Sequence, residues 1–324
     1  MKTLHLIAFD LFENRKDALD SEWESKSTLK KLKDTLEDLG DEVISIQKPL
    51  NIVQKIIDLK KNSRTFLVWN LTEGFLSRNR ESYIPAICEY LGVAHSGSDA
   101  YAQAVTLDKI ASKEIAKKLS IPTPNFQMIT HNSFPSDLTF PVFAKPVYEG
   151  SSLGIDEESI IHDSRNLLAK VDSLQKLYGN VLLEECIEGN DWTIGVLEIG
   201  GKYRVSRVAR VAYPGAVYDQ KTKSKYQMIE SLEWDVPKET EEIIQEWSLR
   251  FCKYVGIEGY ARLDYKGNPP MFLECNATPG LSETYSLFPK LWGSMKYSEL
   301  LLLIRDSGLL ASKQRRFQYG KEYS

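Results

Sequence analysis

"ARLDYKGNPPMFLECNATPG", residues 261–280, sets two alternating runs on either side of a turn at Gly267–Asn268. On a strand, residues two apart share a face. Arg262 and Asp264 are two apart, and so are Glu274 and Asn276. Folded as a hairpin, one face presents all four polar groups. Such a face makes a poor core. It makes a good cradle for a hard cation, because Mg²⁺ takes oxygen ligands and shares them with phosphates. A solvated hairpin face carries the same alternation, so the flanking residues weigh in the decision. "TPG", 278–280, turns the chain sharply, and its backbone N–H groups can face a developing oxyanion.

Upstream, "KPVYEGSSLGI", 145–155, puts Lys145 before a glycine- and serine-rich loop. Glycines let backbone N–H groups approach an anion, hydroxyls add donors, and a lysine supplies a point charge for phosphate. The order is not that of a Walker A loop, since "GK[ST]" is absent. A plain mobile loop is the competing reading.

The first ninety-odd residues alternate strand and helix signals. "TLHLIAF", "EVISI" and "TFLVWN" have the length of strands, and the segments 25–40, "NIVQKIIDL" and "ESYIPAICEYLG" have helical spacing. That alternation predicts a parallel sheet with helices on its faces. Beyond it the texture changes. "TLDKIASKEIAKKL" reads as one helix, "FPVFAKP" and "NVLLEECI" as strands, and 164–178 as a helix with Ser164 at its N-cap and Gly179 beyond. "WTIGVLEIGGKYRVSRVA" reads as a hairpin, 212–237 as a long loop, and the stripe Ile243, Ile244, Trp247, Phe251, Val255 as an amphipathic helix.

Bulk composition narrows the class. The chain has 324 residues, 42% hydrophobic and 27% charged, enough for two or three domains. A net charge of -4 gives no general attraction to nucleic acid or an anionic membrane. Cys88, Cys186, Cys252 and Cys275 form no CxxC pair, which argues for free buried thiols over a zinc site or a disulfide framework. No signal peptide and no run of bilayer length is read, so a cytoplasmic location is expected.

From about Tyr90 to Pro289 the ordered blocks "YLGVAHSGSDA", "LDKIASK", "FPVFAKPVYEGSSLGI", "VLLEECIEGNDWT", "ARLDY" and "LECNATPG" resemble the D-alanine–D-alanine ligase family of ATP-grasp enzymes. The resemblance implies an α/β and α+β architecture. A Rossmann-like parallel-sheet domain over 1–95 precedes an ATP-grasp fold, with a central ATP-binding subdomain over 96–184 and a metal-bearing subdomain over 185–324. It implies ATP and two Mg²⁺ ions, with Mn²⁺ as the alternative ion. It also implies small amino-acid or amine substrates and a homodimer. Lys109 and Lys145 match lysines on the ATP phosphates. Glu184, Glu185 and Ile187 match the segment that holds adenine, and Asp191 an acid on the ribose. Glu149, Gly150, Ser151 and Ser152 match the loop over the phosphates, where Ser151 also shapes the first substrate's site. Asp264, Glu274 and Asn276 match the metal ligands, and Arg262 with the Gly280 N–H the pair facing the tetrahedral intermediate.

The implied reaction phosphorylates a carboxylate and lets an amine attack the acyl phosphate. It uses no protein nucleophile, which fits a sequence without a nucleophile–histidine pattern. D-alanine–D-alanine ligation for peptidoglycan is the leading activity. A ligase of the same chemistry with other substrates, and a nucleotide-binding module without turnover, are the alternatives.

Departures fall on the substrate side. The family's Gly-Gly turn after the first strand is replaced by "FDLFENRKDALDSEWE". Glu22 takes the place of the acid that orients the first amino group, with Glu24 as rival. "NLTEGFLSRNRES" replaces another glycine-rich segment, and Glu73 and Arg80 either face the substrate cleft or pair on the surface. In the lid, "YDQKTKSKY" offers Lys223 or Lys225 as the phosphate contact, and Lys223 is preferred. "PGLSETYSLFP" is one residue longer than the family spacing, which leaves Tyr285 or Ser286 to take the second substrate's carboxylate.

Overall fold

The computed structural model describes residues 3–10, 25–62, 64–74, 77–131, 139–213 and 231–319. Strand β1 (Leu4–Phe9) is buried along its whole length. Helix α1 (Lys26–Asp38) starts where the Ser25 hydroxyl accepts the Thr28 N–H at 3.2 Å, and it buries Leu29, Leu32 and Leu36. Strand β2 (Glu42–Gln47), helix α2 (Pro49–Lys61), strand β3 (Phe66–Leu71), helix α3 (Tyr83–Tyr90) and strand β4 (Ala94–His95) follow. The strands pair in parallel in the order β2-β1-β3-β4. Successive residues of β1 serve opposite faces. Leu4, Leu6 and Ala8 pack with α2, while Ile7 and Phe9 pack with α1.

Two helices, α4 (Ala100–Leu107) and α5 (Lys109–Lys118), replace the single helix expected over 106–119. Asp108 breaks the run. Its backbone is extended, and its carboxylate accepts the Ile110 and Ala111 N–H groups at 3.0 and 3.1 Å. Lys109 thereby opens a helix instead of lying inside one.

Strands β5 (Phe126–Ile129), β6 (Val142–Pro146) and β7 (Ile160–Ile161), helix α6 (Ser164–Tyr178) and strand β8 (Val181–Glu185) form the next unit. Its sheet is antiparallel, in the order β5-β8-β6-β7, and α6 covers one face. The cap of α6 is Asp163, not Ser164. Its carboxylate accepts the Arg165 and Asn166 N–H groups at 2.9 Å each.

The last sheet joins β9 (Asp191–Ile199), β10 (Lys202–Val205), β11 (Ala209–Ala212), β12 (Ser231–Glu233), β13 (Tyr260–Lys266) and β14 (Met271–Asn276). Helix α7 (Lys238–Val255) buries Ile244, Phe251 and Val255 on this sheet. Ala102 of α4 and Ala116 of α5 sit in the same core, so both helices belong physically to this sheet although they precede the middle one in sequence.

Helix α8 (Leu287–Leu291) is short, and helix α9 (Tyr297–Tyr319), not anticipated from residue pattern, is long. Leu300, Leu301 and Ile304 of α9 return to the core around Leu29, Leu36 and Trp69. Gly308 makes that return fit, because a Cβ there would run into the His95 carbonyl oxygen. All four cysteines are free. Cys88, Cys252 and Cys275 are buried as expected, and Cys186, in the linker after β8, is half-buried. Among the described residues no helix is long and apolar enough to cross a membrane.

Candidate active site

The β13–β14 hairpin sets Arg262 opposite Asn276 and Asp264 opposite Glu274. The register then shifts: Tyr265 pairs with Phe272, and Leu273 is the extra residue of a bulge. The bulge lets Phe272 and Cys275 both enter the core while Glu274 and Asn276 remain half-buried on the other side. Strict alternation along 271–276 would have put Phe272 and Glu274 on one face.

Asp264 is held from several directions. The Thr193 hydroxyl, on the neighbouring strand β9, donates to Oδ1 at 2.7 Å. Arg262 Nε donates to Oδ1 and Oδ2 at 3.0 and 3.1 Å, and its Nη2 to Oδ2 at 2.8 Å. Asn276 Nδ2 donates to Oδ2 at 3.2 Å. Lys109 Nζ lies 3.5 Å from Glu274 Oε2 and donates to the Glu149 carbonyl. Burial works to raise the Glu274 pKa. Lys109, Lys145 and Arg262 outweigh it and hold the carboxyl down at about 2. Glu274 is therefore a full anion at neutral pH.

A second ionic group backs the first. Lys145 Nζ stands 2.5 Å from Glu184 Oε1, and Lys113 Nζ 2.8 Å from Oε2. Burial alone would protonate Glu184, but the two lysines keep its pKa below the usual carboxylate value. Lys113 is fully buried, and desolvation lowers it to about 8 against the pull of Glu184. Each Glu184 carboxylate oxygen thus faces one buried ammonium.

The loop after β6 is tighter than its composition suggests. Leu153 N–H reaches the Gly150 carbonyl at 2.9 Å, and Ser151 and Ser152 both take positive φ, 47° and 60°. Two central residues with positive φ mark a type I′ turn, a conformation that serine adopts at a cost. The turn projects from the strand that carries Lys145.

Lys109, Lys145 and Arg262 all act on the Glu274 carboxylate, and their own partners Glu149, Glu184, Asp264 and Asn276 complete the charged group, with Ser151 and Ser152 in the adjoining turn. Other residues named from sequence lie further out. Glu185 is exposed, and Ile187 lies in the linker between β8 and β9. Asp191 is engaged by Lys266 Nζ at 2.8 Å and by the Tyr213 hydroxyl. Gly280 lies half-buried in the loop after β14. Tyr285 Oη meets Thr28 Oγ1 at 2.9 Å and the Ser25 N–H at 3.4 Å, at the start of α1. Ser286 Oγ accepts the Ser282 N–H at 3.1 Å. Glu73 pairs with Arg80 at 3.4 Å, but the arginine is buried, so this is no surface pair. Glu22, Glu24, Lys223 and Lys225 lie outside the described residues.

Lys113 and Thr193 went unread in the sequence, although both left a signal. Lys113 is one helical turn beyond Lys109, and Thr193 is two strand positions beyond Asp191. Among the described residues no three His, Cys, Asp or Glu side chains cluster as metal ligands. Two carboxylates and an amide still fit Mg²⁺, which is usually bound by one or two carboxylates together with substrate phosphates.

Two antiparallel β units, with facing lysines and carboxylates, define an ATP-grasp fold. The crystal structure of D-alanine–D-alanine ligase from Bacillus anthracis complexed with ATP superposes with a TM-score of 0.76 at 21% identity, covering 96% of this chain and 99% of that one. The ligase structure from Coxiella burnetii gives a TM-score of 0.73 at 14% identity, covering 98% of this chain and 97% of that one. At such identities the likeness concerns the fold. The family model described as D-ala D-ala ligase C-terminus matches residues 115–304. D-alanine–D-alanine ligase from Coprothermobacter proteolyticus is 30% identical over 243 residues, 72% of this chain and 77% of that protein. The Aquifex aeolicus ligase is 29% identical over 276 residues, 82% of this chain and 88% of that protein. The chain belongs to the D-alanine–D-alanine ligase family, a family of ATP-dependent ligases.

Proposed function

We propose that the chain is an ATP- and Mg²⁺-dependent carboxylate–amine ligase that joins two D-alanines in the cytoplasm for peptidoglycan synthesis. The observation that carries this is the convergence of Lys109, Lys145 and Arg262 on the Glu274 carboxylate, with Asp264 and Asn276 beside it and the 150–153 turn adjoining. In the first step an oxygen of the substrate carboxylate attacks the γ-phosphorus of ATP, and ADP leaves. In the second the amine attacks the acyl carbon, the bond to phosphate breaks, and inorganic phosphate leaves.

Lys109 and Lys145 bind the phosphates. Glu184, Glu185 and Ile187 line the adenine, Asp191 takes the ribose, and Glu149, Ser151 and Ser152 cover the triphosphate. Asp264, Glu274 and Asn276 hold Mg²⁺, which supplies charge neutralisation at the phosphates when bound. Arg262 and the Gly280 N–H stabilise the oxyanion, a role for which donors fixed in advance are most effective. Glu22, Glu73, Tyr285 and Ser286 serve the substrates, and Lys223 contacts the phosphates. Water is excluded in the closed state, since it would hydrolyse the acyl phosphate. The family reading adds a homodimer, which sedimentation velocity tests.

Phosphate release is measured with ATP and D-alanine, then with a panel of other amino acids and amines, with products identified by mass. Release with D-alanyl-D-alanine as product supports the proposal. Release only with other substrates redirects it to a sister ligase, and ATP binding without release under any condition refutes turnover.

A further inference from the structure

Arg80 lies in the turn 77–82 beyond β3 and is 5% exposed. Its guanidinium spans two segments that are distant in sequence. Nη1 donates to the Glu73 carbonyl at 2.8 Å and lies 3.4 Å from both the Glu73 and Glu81 carboxylates. Nη2 donates to the Tyr148 carbonyl at 3.3 Å and lies 3.4 Å from the Glu149 carboxylate. Arg78 of the same turn sits 6.0 Å over the Tyr148 ring. The turn itself is anchored from below. Asp10 accepts the Gly74 N–H at 2.9 Å, and a Cβ on Gly74 would stand 2.7 Å from the Arg80 carbonyl oxygen.

Tyr148 and Glu149 directly precede the strained turn at 150–153, and the Glu149 carbonyl is the acceptor of Lys109. The parallel-sheet unit therefore holds the base of the phosphate loop through one buried cation. We propose that Arg80 is a positioning residue for that loop: by tying Tyr148 and Glu149 to the 73–82 segment, it sets the grip on the triphosphate from outside the two nucleotide-binding sheets. This rests on the reading that the 149–152 loop covers the phosphates. A lysine at 80 keeps the charge, but its single ammonium cannot reproduce the planar fork that serves Glu73 and Tyr148 at once.

The test compares wild type, Arg80→Lys and Arg80→Gln by calorimetric binding of a non-hydrolysable ATP analogue (β,γ-imido-ATP) and of AMP, both with Mg²⁺, with thermal unfolding as the control for folding. AMP has no β- or γ-phosphate for the loop to hold. Arg80→Lys is expected to keep a near-native melting temperature, weaken the analogue about tenfold, the effect of one charged hydrogen bond, and leave AMP unchanged. Arg80→Gln is expected to weaken the analogue at least as much. Parallel weakening of analogue and AMP, or no change in either, overturns the proposal. Failure of the wild type to bind either nucleotide overturns the nucleotide-site reading itself, and is recognisable because no variant is needed to see it.

Discussion

Replacing Glu274 by glutamine removes the anion around which Lys109, Lys145 and Arg262 are arranged. Its carboxyl is held from an ordinary 4.5 down to about 2 in spite of burial. At about 1.4 kcal/mol per pKa unit, the surrounding cations favour the charged form by about 3 kcal/mol. Because the folded pKa is the lower one, this stability is complete above the unfolded pKa near 4.5 and is lost as the pH falls through about 2. The ligand-free variant is therefore expected to lose up to about 3 kcal/mol at pH 7 and to converge on wild type near pH 2.

Without divalent metal, Glu274 competes with the phosphates for the same cations. In EDTA the variant is expected to bind the ATP analogue more tightly than wild type, by up to about a hundredfold. With Mg²⁺ the order reverses, because a ligand has been lost, and turnover disappears. Calorimetric titration of both proteins with the analogue, in EDTA and in Mg²⁺, reads the crossover. Equal affinity in EDTA, or wild-type turnover in Mg²⁺, would falsify the assignment of Glu274 as an anion shared between lysines and metal.

Three further outcomes are expected. Glu184→Gln strands Lys113 and Lys145 without their carboxylate, which should cost about 3–5 kcal/mol in urea unfolding at pH 7. The loss should shrink towards pH 10, since Lys113, with a folded pKa lowered to about 8, sheds its proton more easily in the folded state than in the unfolded one; a penalty that does not depend on pH would contradict this. Thr193→Val keeps the shape but removes the donor to Asp264, and should raise the Mg²⁺ concentration for half-maximal activity about tenfold or more with the fold intact; an unchanged Mg²⁺ titration would speak against it. Gly308→Ala should lower the melting temperature, although alanine is the better helix former by about 1 kcal/mol, because α9 can no longer approach β4; a stabilised variant would show that the approach is not tight.

The β13–β14 hairpin was legible because strand chemistry is local. A period of two placed Arg262, Asp264, Glu274 and Asn276 on one side, and the glycine turn between them fixed the pairing. Reading failed where one residue changed the period. The bulge at Leu273 and the break at Asp108 each insert a local irregularity that a helix or strand pattern passes over, and each sets a charged side chain of the candidate site. The bulge leaves Glu274 free of the core, and the break puts Lys109 at a helix start beside the hairpin. The substrate side resisted for another reason. Arg80 and Tyr285 gain meaning from partners 68 and 257 residues away, Tyr148 and Thr28, and no local pattern encodes those pairings.

The parallel-sheet unit, the two β units behind it and most of the charged groups of the candidate site could be read from residue order, since hydrophobic period and turn residues act over a few positions. Only the tertiary structure decided which charge faces which. Glu274 is a strong acid because three cations from separate elements surround it, Lys113 is a weakened base because burial strips its solvation in spite of Glu184, and α9 closes the first sheet because Gly308 lets two backbones meet. Electrostatic energy and close packing depend on distances through space, and the order of residues along the chain does not contain those distances.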